Sequence, residues 1–441
     1  MGDVSLGAWP VVATAVAVLV GAYTFVWSQA RVSLRLAVHT LIAAAAATAV
    51  LALGLHAAGI IPIDIPRWLY LIAMLPFLGP SATGTAWSRI NRPRKAIGVA
   101  SIAMGCVVAL LIVNQHYLYW PTLAELLGRD RTDPLVAAVD VMDRTTSDSS
   151  PAGSSVDLAT HHAGAAMHDH GFLVDVTIPG TVSGFTGRRA RIWLPPAFAA
   201  HPTRHRAVVL VIGGTPSWPS DWTRAGRLDR AATALASQRD GEAPIFVMVD
   251  ANGSAFADTE CVDTPRHRAE TYLTRDVPNF IATHFAVDQP TRWGLLGYSE
   301  GGTCAVTLAL RHPEQFSAFV DLAGDLRPSL GSRSSTLHVL FGGSQAAMAA
   351  HDPLGLLAAH RYPGLSAWFD VGRADRGCKK ASHMLADAAR RSGANVIDHQ
   401  TGGGHDFGFV QHALTDALPW LSDQLQTTSL DLVPIRNGPA P

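Results

Sequence analysis

At 441 residues the chain is long enough for one large domain and a substantial extra module. Charged residues make up only 16% of it and the formal net charge is −1. This excludes a nucleic-acid partner held by bulk electrostatics and sets the chain apart from an ordinary soluble enzyme. Its four cysteines are too few for a disulfide-built scaffold.

Stretches 8–30, 36–63, 68–88 and 96–123 contain no Asp, Glu, Lys or Arg. Each exceeds the ~20 residues that cross ~30 Å of hydrocarbon at 1.5 Å per residue, so the composition predicts an all-α module of four transmembrane helices. Trp27, Trp68, Trp87 and Trp120 fall near the ends of these stretches, where amphipathic rings favour the headgroup region. Arg31 and Arg35 follow the first stretch, and Arg89, Arg92, Arg94 and Lys95 follow the third; Asp64 and Arg67 follow the second. The positive-inside bias then makes the first and third connections cytoplasmic. It expects a multi-pass protein of the cytoplasmic membrane, with the N-terminus and everything after Trp120 on the extracytoplasmic side.

Beyond Pro121 polarity rises. A helical segment over 123–143 leads to the Ser/Pro/Gly-rich run 145–155, which has no packing face. His161, His162, His168 and His170 follow without the Cys or Glu-x-x-His spacing of a metal site and read as a polar tail. From Gly171 short β-rich runs alternate with helical ones. The expected strands are 172–178, 190–194, 207–212, 245–249, 294–296, 319–322, 337–341, 367–371 and 396–399, with helices over 268–285 and 302–311. The first two strands flank a turn and suggest an antiparallel pair. The rest predicts a mostly parallel sheet with helices on both faces. The domain reading is therefore a membrane module over 1–121, a linker over 122–170, a globular domain over 171–425 and a tail over 426–441. Cys106 sits in an apolar run; two of Cys261, Cys304 and Cys378 are free to pair, and sequence does not say which.

The sharpest motif is Gly297-Tyr298-Ser299-Glu300-Gly301, between the apolar run 293–296 and a helix. That is the strand–turn–helix setting of a nucleophile elbow, where flanking glycines allow a turn too tight for side chains and Ser299 stands at the positive end of a helix. A serine nucleophile needs a base, and the base an orienting carboxylate, in the chain order Ser, acid, His. His405, in the glycine-rich run 402–407, is the base candidate. Asp375 is the acid candidate because it follows the strand 367–371; Asp370, Asp352 and Asp406 are the alternatives. The oxyanion hole falls to the backbone N–H of Glu300 and to that of Gly214 or Thr215, in the loop after strand 207–212.

Over residues 171–421 the chain resembles the esterase D family of α/β-hydrolases, which includes the mycolyltransferases. The resemblance is densest over 270–325: Glu270-Thr271-Tyr272-Leu273 through Val277-Pro278, Ser299-Glu300-Gly301-Gly302, and His312-Pro313-Glu314-Gln315-Phe316. The Gly372…Asp375 and Gly404-His405-Asp406 segments match its acid and base positions. The resemblance implies a serine hydrolase or acyltransferase acting on carboxylic esters with no metal or redox cofactor. Glu300 stands where Met is more usual, and together with Asp258, Glu260 and Asp263 suggests a site for a substrate ammonium group, as in an aminoacyl phospholipid. The bland alternative is a solvated acidic loop with Glu300 capping its helix. The expectation is thus a membrane-anchored extracytoplasmic serine esterase, with the bilayer as partner and a lipid or envelope ester as substrate. The competing expectations are an acyltransferase of the mycolyltransferase type and a non-catalytic envelope scaffold.

Overall fold

The computed structural model describes residues 16, 34–57, 67–78, 92–120 and 170–430, apart from 199, 202, 256, 286 and 288–292. All but one residue of the expected first span, the linker up to 169, the histidines 161, 162 and 168, and residues 431–441 lie outside them. The chain divides into two compact units, Met1–Arg131 and Thr132–Pro441.

The first unit holds helices α1 (Leu34–Ala57), α2 (Arg67–Ala73) and α3 (Arg92–Tyr117). Among the described residues no helix is long and apolar enough to cross a membrane. This overturns the expected four-span module and the multi-pass placement that rested on it. The physical reasons are local. α2 is only seven residues, a rise of about 10 Å, and gives way to a turn at Met74 just before Pro76, which has no N–H to donate. α1 carries Arg35, His39 and His56, and α3 opens on Arg92, Arg94 and Lys95 and closes on Asn114, Gln115 and His116. Asn114 ends α3 by pairing with Trp120: its Nδ2 donates to the Trp120 carbonyl at 2.8 Å, and its Oδ1 accepts from the Trp120 N–H at 2.7 Å.

The second unit is an eight-stranded sheet in the order β1-β2-β4-β3-β5-β6-β7-β8. Its strands are β1 (Phe172–Val176), β2 (Ala190–Leu194), β3 (Val208–Ile212), β4 (Ile245–Val249), β5 (Trp293–Tyr298), β6 (Phe316–Leu322), β7 (Ser366–Asp370) and β8 (Asn395–His399). β1 and β2 form the expected antiparallel pair and β2 runs antiparallel to β4; every later pairing is parallel. β2 through β5 are buried along their whole length, the burial on both faces that a helix-covered parallel sheet requires.

Two glycines of β5 locate the covering helices. A Cβ on Gly297 would land 1.8 Å from the Gly301 carbonyl in helix α4 (Glu300–Arg311). A Cβ on Gly294, three residues earlier and so on the opposite face, would meet Leu421 and Leu425 of the C-terminal helix α6 (Phe407–Leu430) at 3.3 and 3.1 Å. Helix α5 (Lys379–Arg391) packs against β7 and β8. α6 continues to Leu430, five residues past the expected end of the domain.

One expected strand is a helix. Residues 337–341 read as β-rich, yet Arg333–Val339 is helical, with the Ser332 Oγ accepting from the Ser335 N–H at 3.0 Å. That N-cap outweighs the local β propensity, and β6 already pairs directly with β7, which leaves the run no place in the sheet. The helical run 268–285 also differs from expectation: it is broken by a π-helical stretch, Tyr272–Asp276.

Candidate active site

Ser299 stands on the turn between β5 and α4 with φ 59° and ψ −124°, a backbone conformation that L residues rarely hold. Only glycine fits around it. A Cβ on Gly301 would lie 2.0 Å from the Ile212 carbonyl, and one on Gly302 2.3 Å from Asp321 Oδ1. The tight turn puts the Ser299 side chain at the N-terminus of a twelve-residue helix.

The base arrives from the loop between β8 and α6. His405 Nε2 lies 2.9 Å from Ser299 Oγ, and His405 Nδ1 lies 2.8 Å from Asp375 Oδ2. Backbone bonds zip the acid and base loops together: the Arg373 N–H donates to the Thr401 carbonyl and the Ala374 N–H to the Gly403 carbonyl, each at 2.8 Å. The approach demands Gly372, whose Cβ would sit 2.3 Å from the Gly404 carbonyl, and Gly403, at φ +117°. Asp375 is buried, and burial alone would raise its pKa. The His405 bond and charge, with N–H donors from Cys378 (3.1 Å) and Gly377 (2.9 Å) on Oδ1, hold its carboxyl below the ordinary range instead.

The other three acid candidates are committed elsewhere. Asp370 accepts from the Thr401 N–H (2.9 Å) and Oγ1 (2.7 Å) and faces His399. Asp406 accepts from the N–H groups of Gly404 and Phe409, shaping the loop that carries His405. Asp352 precedes the helix Pro353–Ala359 and lies 3.5 Å from Arg327; with Arg333–Val339 helical and a turn after it, no strand leads into it.

Opposite the imidazole, the loop after β3 passes directly beside the nucleophile: a Cβ on Gly214 would lie 2.8 Å from Ser299 Cβ and 3.3 Å from its Oγ. The Thr215 hydroxyl donates to Glu300 Oε2 and lies 3.1 Å from the Ala257 carbonyl. Asn252, just past β4, donates from Nδ2 to Glu300 Oε2 at 2.9 Å and to Thr215 Oγ1 at 3.0 Å. Asn252 is the residue sequence reasoning missed; its only signal was its place at the C-terminal end of a buried strand.

The acidic residues considered for an ammonium site form an internal network. Glu300 and Glu260 are buried, and burial pushes both carboxyls well above their ordinary range, with Asp258 nearby adding to the shift in each case. Burial thus favours the neutral form of both carboxyls. Glu260 accepts from the Ser329 N–H at 2.9 Å, and Asp258 from the Glu260 N–H at 3.2 Å. Asp263 is bonded to Thr271 instead. A Cys261–Cys304 disulfide joins the Glu260 loop to α4, which leaves Cys378 and Cys106 as free thiols.

Residues 186–421, more than half of the chain, match the "Putative esterase" family. The chain is 32% identical over 333 residues to an uncharacterized protein of Corynebacterium glutamicum, covering 72% of this chain and 74% of that one. It is 26% identical over 258 residues to the S-formylglutathione hydrolase of Paracoccus denitrificans, covering 53% and 87%. Among solved structures, a ferulic acid esterase superposes with a TM-score of 0.50 at 17% identity, over 58% of this chain and 99% of the other, a likeness of fold. With the α/β-hydrolase sheet in place, the chain belongs to the esterase family and is a carboxylic ester hydrolase of the serine-hydrolase class.

Proposed function

We propose that the protein hydrolyses esters or thioesters of small acyl groups through a Ser299 acyl-enzyme, with His405 as general base and acid and Asp375 as its orienting carboxylate. The observation that carries this reading is the continuous line Ser299 Oγ–His405 Nε2–His405 Nδ1–Asp375 Oδ2, at 2.9 and 2.8 Å. His405 Nε2 takes the hydroxyl proton as Oγ attacks the acyl carbon. The tetrahedral oxyanion meets the backbone N–H of Glu300 and that of Gly214 or Thr215, each such donor being worth ~3–4 kcal/mol in the transition state. The leaving oxygen or sulfur departs with the proton from Nε2. Water then repeats the sequence on the acyl-enzyme, releasing the acid and restoring Ser299.

The S-formylglutathione hydrolase among the relatives makes a small-acyl thioester the first substrate to try. The test is turnover of the purified chain on a series of acyl esters and thioesters of increasing acyl length, with Ser299→Ala beside it. The expected result is preference for the shortest acyl groups and a loss of 10⁴–10⁶ in kcat in the variant. Turnover that survives Ser299→Ala refutes the mechanism. Preference for long acyl chains, or an ester product when an alcohol is added, refutes the substrate class or the choice of water as acceptor.

A further inference from the structure

One thiol sits unused behind the acid–base pair. Cys378 Sγ lies 3.8 Å from His405 Nδ1, on the same imidazole nitrogen that bonds Asp375 Oδ2 at 2.8 Å. One ligand atom from each of Asp375, Cys378 and His405 falls within 4.8 Å of the other two. We propose that these three side chains form an inhibitory site for a thiophilic divalent cation of the zinc type, which switches the enzyme off by capturing His405 Nδ1.

The donor set is that of zinc: a thiolate sulfur, an imidazole nitrogen and a carboxylate oxygen. Bonds of about 2.0–2.3 Å in a tetrahedron separate neighbouring ligand atoms by roughly 3.3–3.7 Å. The observed separations of 2.8 and 3.8 Å bracket that edge, so small side-chain shifts complete the three-ligand face. Asp375 Oδ1 stays anchored by the Gly377 and Cys378 N–H groups, which leaves Oδ2 for the ion. His405 is part-exposed, while Asp375 and Cys378 are buried, so the ion would be held largely out of solvent. Burial, then Asp375, Asp325 and Asp321, raise the Cys378 pKa, which keeps the thiol protonated in the metal-free enzyme. The same carboxylate field that opposes a bare thiolate favours a divalent cation beside it.

The consequence for catalysis follows from proton balance, and this part alone rests on the reading of Ser299 and His405 given above. In the working enzyme the neutral imidazole carries its proton on Nδ1, toward Asp375, and accepts at Nε2. Metal at Nδ1 moves that proton to Nε2, while the thiol proton leaves to solvent, so one proton is released per ion bound. Nε2 then donates toward Ser299 Oγ and has no lone pair to take the serine proton. Metal binding and base catalysis exclude each other.

The experiment titrates Zn²⁺ into the purified full chain during ester hydrolysis, for wild type, Cys378→Ser and Cys378→Ala. The wild type should be inhibited reversibly, with activity restored by a chelator. Both variants should hydrolyse the ester without metal, and their inhibition constants should rise at least tenfold. Equal inhibition of wild type and variants, or none in the wild type, overturns the proposal. A second readout needs no turnover: Co²⁺ should give a thiolate-to-metal charge-transfer band in the wild type and in Ser299→Ala, and none in Cys378→Ser. A missing band in the wild type sinks the site, whereas a band in a wild-type chain that cleaves no ester leaves the site standing and sinks the serine mechanism.

Discussion

Buried carboxyls on the two sides of Ser299 have opposite fates. On the imidazole side, Asp375 is held below its ordinary pKa because His405 and two backbone N–H groups converge on it. On the other side, burial pushes Glu300 and Glu260 well above theirs, and Asp258 adds its charge; a hydroxyl, an amide and the Glu260 backbone N–H on Glu300, and one backbone N–H on Glu260, do not compensate. The difference teaches that burial acts on all three carboxyls and the neighbouring charge decides the outcome: His405 beside Asp375 lowers, Asp258 beside Glu300 and Glu260 raises. One flank of the nucleophile is a carboxylate and an imidazole that together steer protons. The opposite flank is a hydrogen-bonded scaffold that holds the Thr215 loop against the helix bearing Ser299.

Substitutions should separate the two flanks. The largest effect belongs to the ionised side: Asp375→Asn should cost ~10⁴ in kcat, since it loses the carboxylate that fixes the imidazole tautomer. Asp370→Asn, at a carboxylate bonded to Thr401, should leave kcat within about tenfold and lower the unfolding midpoint. If steady-state kinetics of the pair show the reverse, the acid role moves to Asp370.

The next effect is on stability. The Cys261–Cys304 bridge closes a separation of 43 residues, for which the chain-entropy relation gives about 4 kcal/mol. Denaturant unfolding of the Cys261→Ser, Cys304→Ser double variant should fall by up to that amount. No loss at all would mean that the Glu260 loop is held to α4 by its hydrogen bonds alone.

The smallest effect tests the Glu300 flank. Glu300→Met removes the acceptor shared by Thr215 and Asn252 and should lower kcat about 10²-fold, as expected for a loosened oxyanion donor. Glu300→Gln keeps a carbonyl acceptor and should recover most of that loss. The pH dependence has a definite sign. A carboxyl whose folded pKa is raised stabilises fully below its unfolded value, near 4.5, and that contribution is lost as pH rises through the folded value. Wild-type stability should therefore decline with rising pH above about 4.5 more steeply than that of Glu300→Gln. Equal slopes would mean that Glu300 is ionised in the folded chain.

The sheet was legible in the sequence wherever a short β-branched run ended in turn residues: 190–194 and 245–249 are β2 and β4 to the residue. The elbow was legible because its glycines, strand and helix are contiguous. The run 337–341 misled because its β propensity lay behind a serine cap that propensity does not register. The apolar run from Trp68 misled because a hydropathy count is blind to Pro76 and to the turn at Met74. The surroundings of Glu300 were not legible for a third reason. Its partners Thr215 and Asn252 come from loops 85 and 48 positions away, and only the fold brings them together. The nearness of Cys378 to His405, 27 positions apart, was hidden for the same reason.

The account stands on Ser299 as the atom that becomes acylated. Labelling the purified protein with a fluorophosphonate and mapping the adduct by peptide mass spectrometry tests this directly. One phosphonyl group on the Ser299 peptide, much slower to appear in His405→Ala, is the predicted result. A protein that cleaves esters yet carries the label on another residue, or labels equally fast without His405, would contradict it.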